Sequence, residues 1–279
     1  MPKISVLIPV FKTTPEYLKE AISSVLDQTF QDFELIILDD CPEDNREDVI
    51  SSFEDVRIRY FKNEKNVGIS ASRNKLIDLA KGEYLAIMDH DDVALPDRFL
   101  EQVKILDSCP DIGVVGCWVE RFPKIEEVHY PEKNPDIERY LMQGCAVPHT
   151  GAMIRKSILE DIRYESEFSP SEDYALWCRL LKKTQFYNVP KILMRYRWHK
   201  NNTSHLRKQQ MKEKTQSIHF LVRNKCQDLW QDVCDNSLHF VRLKLFGIIP
   251  IAKYIQKGNR PAKFLKYVPF ITFKIKMVL

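Results

Sequence analysis

Two periods of apolar residues alternate along the first 120 positions of the chain. Residues 3–11, KISVLIPVF, form a β-branched apolar run. After Pro15 the residues Leu18, Ala21, Ile22, Val25 and Leu26 fall on the i, i+3, i+4, i+7, i+8 stripe of an amphipathic helix. Pro15 suits a first helical turn, where its missing N–H has no partner to lose. The sequence therefore predicts a strand followed by a helix, and the pair recurs. FELIILD (33–39), a polar helix near 45–53, VRIRYF (56–61), a helix near 69–81, EYLAIMD (83–89), a helix near 97–107 and IGVVGCWV (112–119) follow in order. Such alternation builds a mostly parallel α/β sheet flanked by helices. Beyond residue 120 it breaks into short pieces: GAMIRKS (151–157), a helix starting near Ser171, and the strand KILMRYRW (191–198). Residues 205–240 read as polar helix. Three segments are expected, 1–120, 121–205 and a helical basic extension over 206–279.

Composition agrees with one large domain plus an appendage: 279 residues, 44% hydrophobic and 29% charged, exclude a wholly disordered or collagen-like chain. Seven cysteines with no CxxC pair argue against a disulfide framework and a clustered zinc site, so a reducing cytosol is expected. The opening MPKISVLIPVF stops being apolar at Thr13 and reads as a first strand rather than a signal peptide. Apolar runs stay well short of the roughly 20 residues that span a bilayer.

Charge is unevenly placed. From Asn236 to Leu279 there are nine Lys/Arg and no Asp/Glu, which leaves the rest of a +3 chain at −6. Within 237–279, FGIIPIA and YVPFITF lie among lysines and aromatic residues, a pattern suited to an anionic membrane surface. A solvated basic helix packed on the domain is the alternative. No nucleic-acid motif accompanies the charge, so nucleic acid is not an expected partner.

In an open α/β sheet, ligands bind beyond the carboxyl ends of the strands. The first strand ends in Pro9-Val10-Phe11, the second in Asp39-Asp40, the fourth in Asp89-His90-Asp91-Asp92. Three carboxylates in four residues repel one another unless a cation neutralises them. Oxygen ligands suit Mg²⁺ or Mn²⁺, commonly completed by substrate phosphates. A solvated acidic turn is the plainer alternative. The chain has neither a GxGxxG after its first strand nor a GxxxxGK[ST], so phosphates would be held by metal and cations. Arg73, in NVGISASRN (66–74), lies on the helix feeding the Asp89 strand and is one candidate cation.

Taken in order and spacing, SVLIPVF, ELIILDD, NVGISASRN, GEYLAIMDHDDVALPDRF, SEDYALWCRL and YRWHKNNTS resemble the family 2 glycosyltransferases of GT-A fold over roughly residues 3–205. The resemblance implies an inverting, metal-dependent transferase using a nucleotide-sugar, with 1–120 as the donor half and 121–205 as the acceptor and catalytic half. It implies that Pro9, Val10 and Phe11 line the nucleobase and that Asp39 accepts the uracil N3–H. Arg73 matches a cation near base and diphosphate, Asp89 a ribose contact, Asp91 a direct metal ligand, and His199 a histidine near metal or diphosphate. Asp173 matches the general base. Asp173 also lies just past Ser171, a plausible helix N-cap, where the helix dipole favours an ionised carboxylate.

Glu172 and His149 are weaker candidates, for acceptor contact. Trp177 and Trp198 are candidates for stacking on sugar faces, although aromatic residues at such spacings usually belong to the core. Two positions depart from the family pattern: Cys41-Pro42 stands where glycine and serine are usual, and Phe11-Lys12 where tyrosine and asparagine are usual.

A UDP-sugar donor, a glycan or lipid-linked acceptor of a surface polysaccharide, and a peripheral place at the inner face of the cell membrane follow from the same resemblance. Two rivals share the sequence. Asp89-His90-Asp91-Asp92-Val93 also fits the DxDx[TV] of haloacid-dehalogenase-type phosphotransferases, with Asp89 as nucleophile, and a non-catalytic sugar-nucleotide-binding module would keep the fold without a working base.

Overall fold

A computed structural model describes residues 1–236, 238–245 and 249–257, with side chains through Asp235. The chain divides into two compact units, Met1–Val222 and Arg223–Leu279. In the first, β1 (Ile4–Val10) and β2 (Phe33–Asp39) are buried at every position, as their unbroken apolar runs require of central parallel strands. Between them α1 (Pro15–Leu26) buries Leu18, Ala21, Ile22 and Val25, the stripe read from the sequence, and Thr14 Oγ1 caps it by accepting the Tyr17 N–H. The short α2 (Glu47–Ser51) precedes β3 (Ile58–Lys62), and α3 (Ile69–Leu79) precedes β4 (Tyr84–Ile87).

The second half of the sheet holds β5 (Val93–Ala94), β6 (Ile112–Phe122), β7 (Glu126–Val128), β8 (Met153–Arg155) and β9 (Gln185–Arg197). The strands run in the order β3-β2-β1-β4-β8-β6-β9-β5, with β7 paired to β6. β1 through β4 are mutually parallel, whereas β8 lies antiparallel between β4 and β6. β6 crosses residue 120 and is parallel to β9, so donor-side and acceptor-side halves share one sheet. Helices α4 (Arg98–Ser108), α5 (Asn134–Leu141) and α6 (Glu172–Leu180) complete the frame, followed by α7 (Thr203–Leu206) and α8 (Lys208–Lys225).

The helical expectation for 206–279 is corrected over part of its length. α8 and α9 (Gln227–Asn236) are helical, but β10 (Leu238–Leu245) and β11 (Ile249–Lys257) pair as an antiparallel hairpin. The sequence reason is visible in VRLKL (241–245), where apolar and basic residues alternate with period two. The proposed membrane-facing side chains of the tail lie outside the described residues. Among the described residues no helix is long and apolar enough to cross a membrane.

The core beneath the sheet is closed by rings such as Phe99, fully buried and edge-on to Phe33 at 5.6 Å. Phe99→Ala is expected to cost about 3–5 kcal/mol through the cavity it leaves. Chemical denaturation would show this as a lower midpoint with an unchanged slope.

Candidate active site

The carboxyl ends of β1, β2 and β4 adjoin one another, and the residues that follow β2 and β4 gather acidic side chains at this end of the sheet. Pro9 and Val10 are buried in β1, while Phe11 is 40% exposed at its end. Lys12 takes a left-handed conformation (φ 49°) and lays its ammonium 5.2 Å from the centre of the Phe11 ring. Asp39 ends β2 almost fully buried. Its Oδ1 accepts the Cys41 N–H and its Oδ2 the Arg46 N–H, both at 2.9 Å, so the 41–46 turn wraps the carboxylate. Arg46 then closes the turn by donating to the Thr13 carbonyl through Nε and Nη2.

Asp40 drew no functional reading from the sequence, yet it organises the next element. Oδ1 accepts from Asn63 Nδ2 and the Val67 N–H, and Oδ2 from the Gly68 N–H, each within 2.9 Å. Gly68 (φ 85°) makes the turn into α3, where any larger residue would strain the backbone. The start of α3 is thereby fixed, and with it Arg73. The guanidinium of Arg73 donates to Glu172 Oε1 at 2.5 Å and to Asp89 Oδ1 at 3.2 Å, and stands 5.5 Å from the centre of the Tyr164 ring. Burial works against its charge, but Asp89 and Glu172 more than offset this and hold it above its ordinary range. Asn74 secures Tyr164 by exchanging two hydrogen bonds with its backbone, both 2.9 Å.

The acidic turn after β4 distributes its three carboxylates differently. Burial raises the Asp89 carboxyl above its usual value against the pull of Arg73, and the charge of Asp91 adds to the rise. Asp92 is fully buried and accepts the Arg197 N–H at 2.8 Å; burial, then the charges of Asp91 and Asp89, push it well above the carboxylate range. Asp91 alone turns to the histidine read from the sequence: its Oδ2 stands 2.9 Å from His199 Nε2. His199 Nδ1 accepts the Asn201 N–H, so Nε2 carries the ring proton and points it at Asp91.

Glu172 and Asp173 open α6. Glu172 is buried and pairs with Arg73 through Oε1, while its Oε2 has no hydrogen-bond partner among the described residues. Asp173 is half-buried, and its Oδ1 accepts the Tyr174 N–H at 2.7 Å. Burial, then the charge of Glu172, pushes its carboxyl up to about 6 against the pull of Arg73. Ser171 occupies the N-cap position without capping: its hydroxyl lies 3.4 Å from Thr215 Oγ1 and from the Met211 carbonyl on α8. His149 is only 8% exposed and bonds Tyr164 Oη through Nε2 at 2.9 Å. Burial and Arg73 hold its pKa well below the usual value, so it supports Tyr164 from within the core. Trp177 is fully buried; Trp198 is exposed beside His205 and Arg121.

In comparison with known proteins, the family model described as Glycosyl transferase family 2 matches residues 5–163. The chain belongs to glycosyl transferase family 2. It is 34% identical over 205 residues to an uncharacterized glycosyltransferase of Methanocaldococcus jannaschii, covering 70% of this chain and 71% of that one. A Bacillus subtilis protein named as a teichuronic acid biosynthesis glycosyltransferase is 30% identical over 212 residues, 73% of this chain and 82% of the relative.

Among solved structures, Staphylococcus aureus TarS 1–349 in complex with UDP-GlcNAc superposes with a TM-score of 0.63 at 16% identity, over 84% of this chain and 80% of that one. The mannosyltransferase PcManGT of Pyrobaculum calidifontis, in complex with GDP-Man and Mn²⁺, gives 0.62 at 16% identity, over 80% and 64%. These likenesses establish the GT-A fold. Family membership sets aside the phosphotransferase reading of this glycosyltransferase. Asp89, the nucleophile that reading needs, is instead held by Arg73 beyond the fourth strand.

Removing the guanidinium would leave Glu172 and Asp89 facing each other without compensation. Arg73→Met is expected to lower stability by about 3–5 kcal/mol, the range for breaking a buried ion pair. Glu172→Gln paired with Arg73→Met should recover part of that loss in a double-mutant cycle followed by denaturation.

Proposed function

We propose that this glycosyltransferase moves a hexose or N-acetylhexosamine from a UDP-sugar to a hydroxyl of a glycan or lipid-linked acceptor in surface polysaccharide synthesis, inverting the anomeric centre. The observation that carries the reading is the Glu172–Arg73–Asp89 bridge. Through Glu172 it ties the start of α6, where the neighbouring Asp173 would act as base, to the acidic turn that would meet the donor. The nucleotide-sugars seen with TarS and PcManGT, and the surface polymer in the name of the Bacillus relative, support the substrate class.

In this reading Pro9, Val10, Phe11 and Asp39 receive the base, and Asp89 meets the ribose side of the donor. Asp39 Oδ1 accepts one backbone N–H and keeps capacity for one more donor, as a uracil N3–H requires, whereas Oδ2 accepts both the Arg46 N–H and the Tyr60 hydroxyl. Asp91 Oδ2 and His199 Nε2 converge at 2.9 Å; with the ring proton moved from Nε2 to Nδ1, the pair would hold Mn²⁺ or Mg²⁺ together with donor oxygens, and the metal would supply positive charge to the leaving diphosphate. Among the described residues no group of three His, Cys, Asp or Glu side chains is gathered to hold a metal, so this pair would depend on the donor for its remaining ligands.

Asp173 takes the proton of the acceptor hydroxyl as that oxygen attacks the anomeric carbon from the side opposite the diphosphate. The bond to the diphosphate breaks in the same displacement, so the configuration inverts. Arg73 adds fixed positive charge at the donor end. The basic tail, 237–279, would hold the enzyme to an anionic inner membrane face where a lipid-linked acceptor is presented.

Asp173→Asn is expected to lower turnover by about 10²–10⁴-fold, the usual contribution of a general base, while donor binding by calorimetry stays near wild type. Near-normal turnover would remove Asp173 from the role. Because the base works ionised and its pKa is near 6, kcat/KM is expected to rise with pH below that value and level off above it. A profile flat from pH 5 to 8 would contradict this assignment.

A further inference from the structure

Arg197, the last residue of β9, stands outside every role so far assigned, and its contacts converge on the acidic turn. Its backbone N–H donates to Asp92 Oδ1 at 2.8 Å and its Nε to the Asp91 carbonyl at 2.7 Å. The far side of the guanidinium donates to Glu20 on α1. Two rings hold it, with Tyr17 at 4.2 Å and Phe122 at 4.5 Å from the guanidinium carbon to the ring centres. The Arg197 carbonyl accepts from Asn202 Nδ2 at 3.0 Å, and Asn202 Oδ1 accepts the His199 N–H. Tyr17, which lies against Arg197, also lies 5.6 Å from the His199 ring.

A single residue thus grips the backbone of Asp91 on one side and the loop carrying His199 on the other. We infer that Arg197 is a positioning residue that presets the Asp91–His199 pair for a divalent cation and the donor diphosphate it accompanies. The inference rests on the reading of Asp91 and His199 as the metal pair. Its physical basis is that Asp91 and His199 lie 108 residues apart in sequence. The two side chains hydrogen-bond each other at 2.9 Å, and that contact forms only where the two backbones are held close enough for it. The guanidinium is well suited to that work because it is planar, stacks on rings and donates in two directions at once. It reaches the Asp91 carbonyl rather than the carboxylate, which leaves both carboxylate oxygens to a ligand and to His199.

The test is Mn²⁺ binding, followed by electron paramagnetic resonance and calorimetry on the full chain with and without UDP, beside the metal-free thermal midpoint. Arg197→Met is expected to weaken Mn²⁺ affinity about 10–100-fold, the range for loss of an outer-shell partner. Much of kcat should return at saturating metal. Arg197→Lys, which keeps one of the two donations, should fall between. Glu20→Gln removes the outer ion pair yet leaves the contact to the Asp91 carbonyl, so its Mn²⁺ affinity should stay near wild type.

Asp91→Asn is the control for the underlying reading. If it leaves Mn²⁺ affinity unchanged, the metal pair itself is wrong and the inference falls with it. If Asp91→Asn loses the metal while Arg197→Met retains wild-type affinity, Arg197 has no positioning role and only the inference is overturned. A drop in metal-free stability of Arg197→Met with unchanged Mn²⁺ affinity would likewise overturn it, by making the residue purely structural.

Discussion

A guanidinium buried between two carboxylates constrains the whole site. Arg73, Glu172 and Asp89 come from α3, α6 and the turn after β4, and each would be costly to bury alone. Together they neutralise most of one another, provided that the three elements meet within hydrogen-bond distance. Everything that fixes α3 therefore serves the site. Asp40 accepts the N–H groups at its start, Asn74 holds Tyr164, and Tyr164 in turn stands against the guanidinium with His149 behind it. The helix that the sequence shows only as a moderately apolar stretch is located by polar contacts at its ends.

The remaining acids illustrate how a crowded anionic site remains folded before any ligand arrives. Asp39 and Asp40 accept backbone N–H groups, Asp91 an imidazole N–H, and Asp92 the Arg197 N–H, while burial favours the neutral form of Asp92. Asp89, Asp91 and the half-buried Asp173 keep access from outside, Asp89 with its side chain 28% exposed and Asp91 with 16%. This division separates supporting acids from acids free to act, which the count of carboxylates along the chain leaves undivided.

Periodicity made the parallel half of the fold readable, because strands buried on both faces carry unbroken apolar runs and helices carry a stripe. The antiparallel insertion of β8 between β4 and β6 had no such signal: three residues, MIR, are too few to show a period. The hairpin of 238–257 was hidden by its basic composition, read as helix although VRLKL alternates. Motif spacing led to Asp91, His199, Arg73 and Asp173, which the fold brings to one site. Glu172 and His149 are largely buried against Arg73 and Tyr164, an environment that sequence does not show because a polar side chain at a strand end or helix start looks the same whether it faces a ligand or a buried partner. Asp40 and Arg197 were missed for the converse reason. Their work is done through backbone groups far away in sequence, and only a preformed sheet reveals it.

The two departures from the family pattern show how little the local identity of a turn constrains its chemistry. Glycine and serine after paired acids give a flexible turn; here Cys41 donates its N–H to Asp39, and Pro42 begins a short 3₁₀ turn in which no N–H is needed from it. Pro42 also limits the unfolded chain, so the turn loses less entropy on folding than a glycine-containing one. At the other site Lys12 adopts the left-handed conformation that asparagine tolerates more readily. The strain is opposed by the contact of its ammonium with the Phe11 ring, an arrangement worth about 0.5–1 kcal/mol where exposed. Both turns thus reach the backbone path that the carboxylate of Asp39 requires, by different residues. What they alter is the surface at this end of the sheet, which now includes a lysine ammonium beside an exposed phenyl ring.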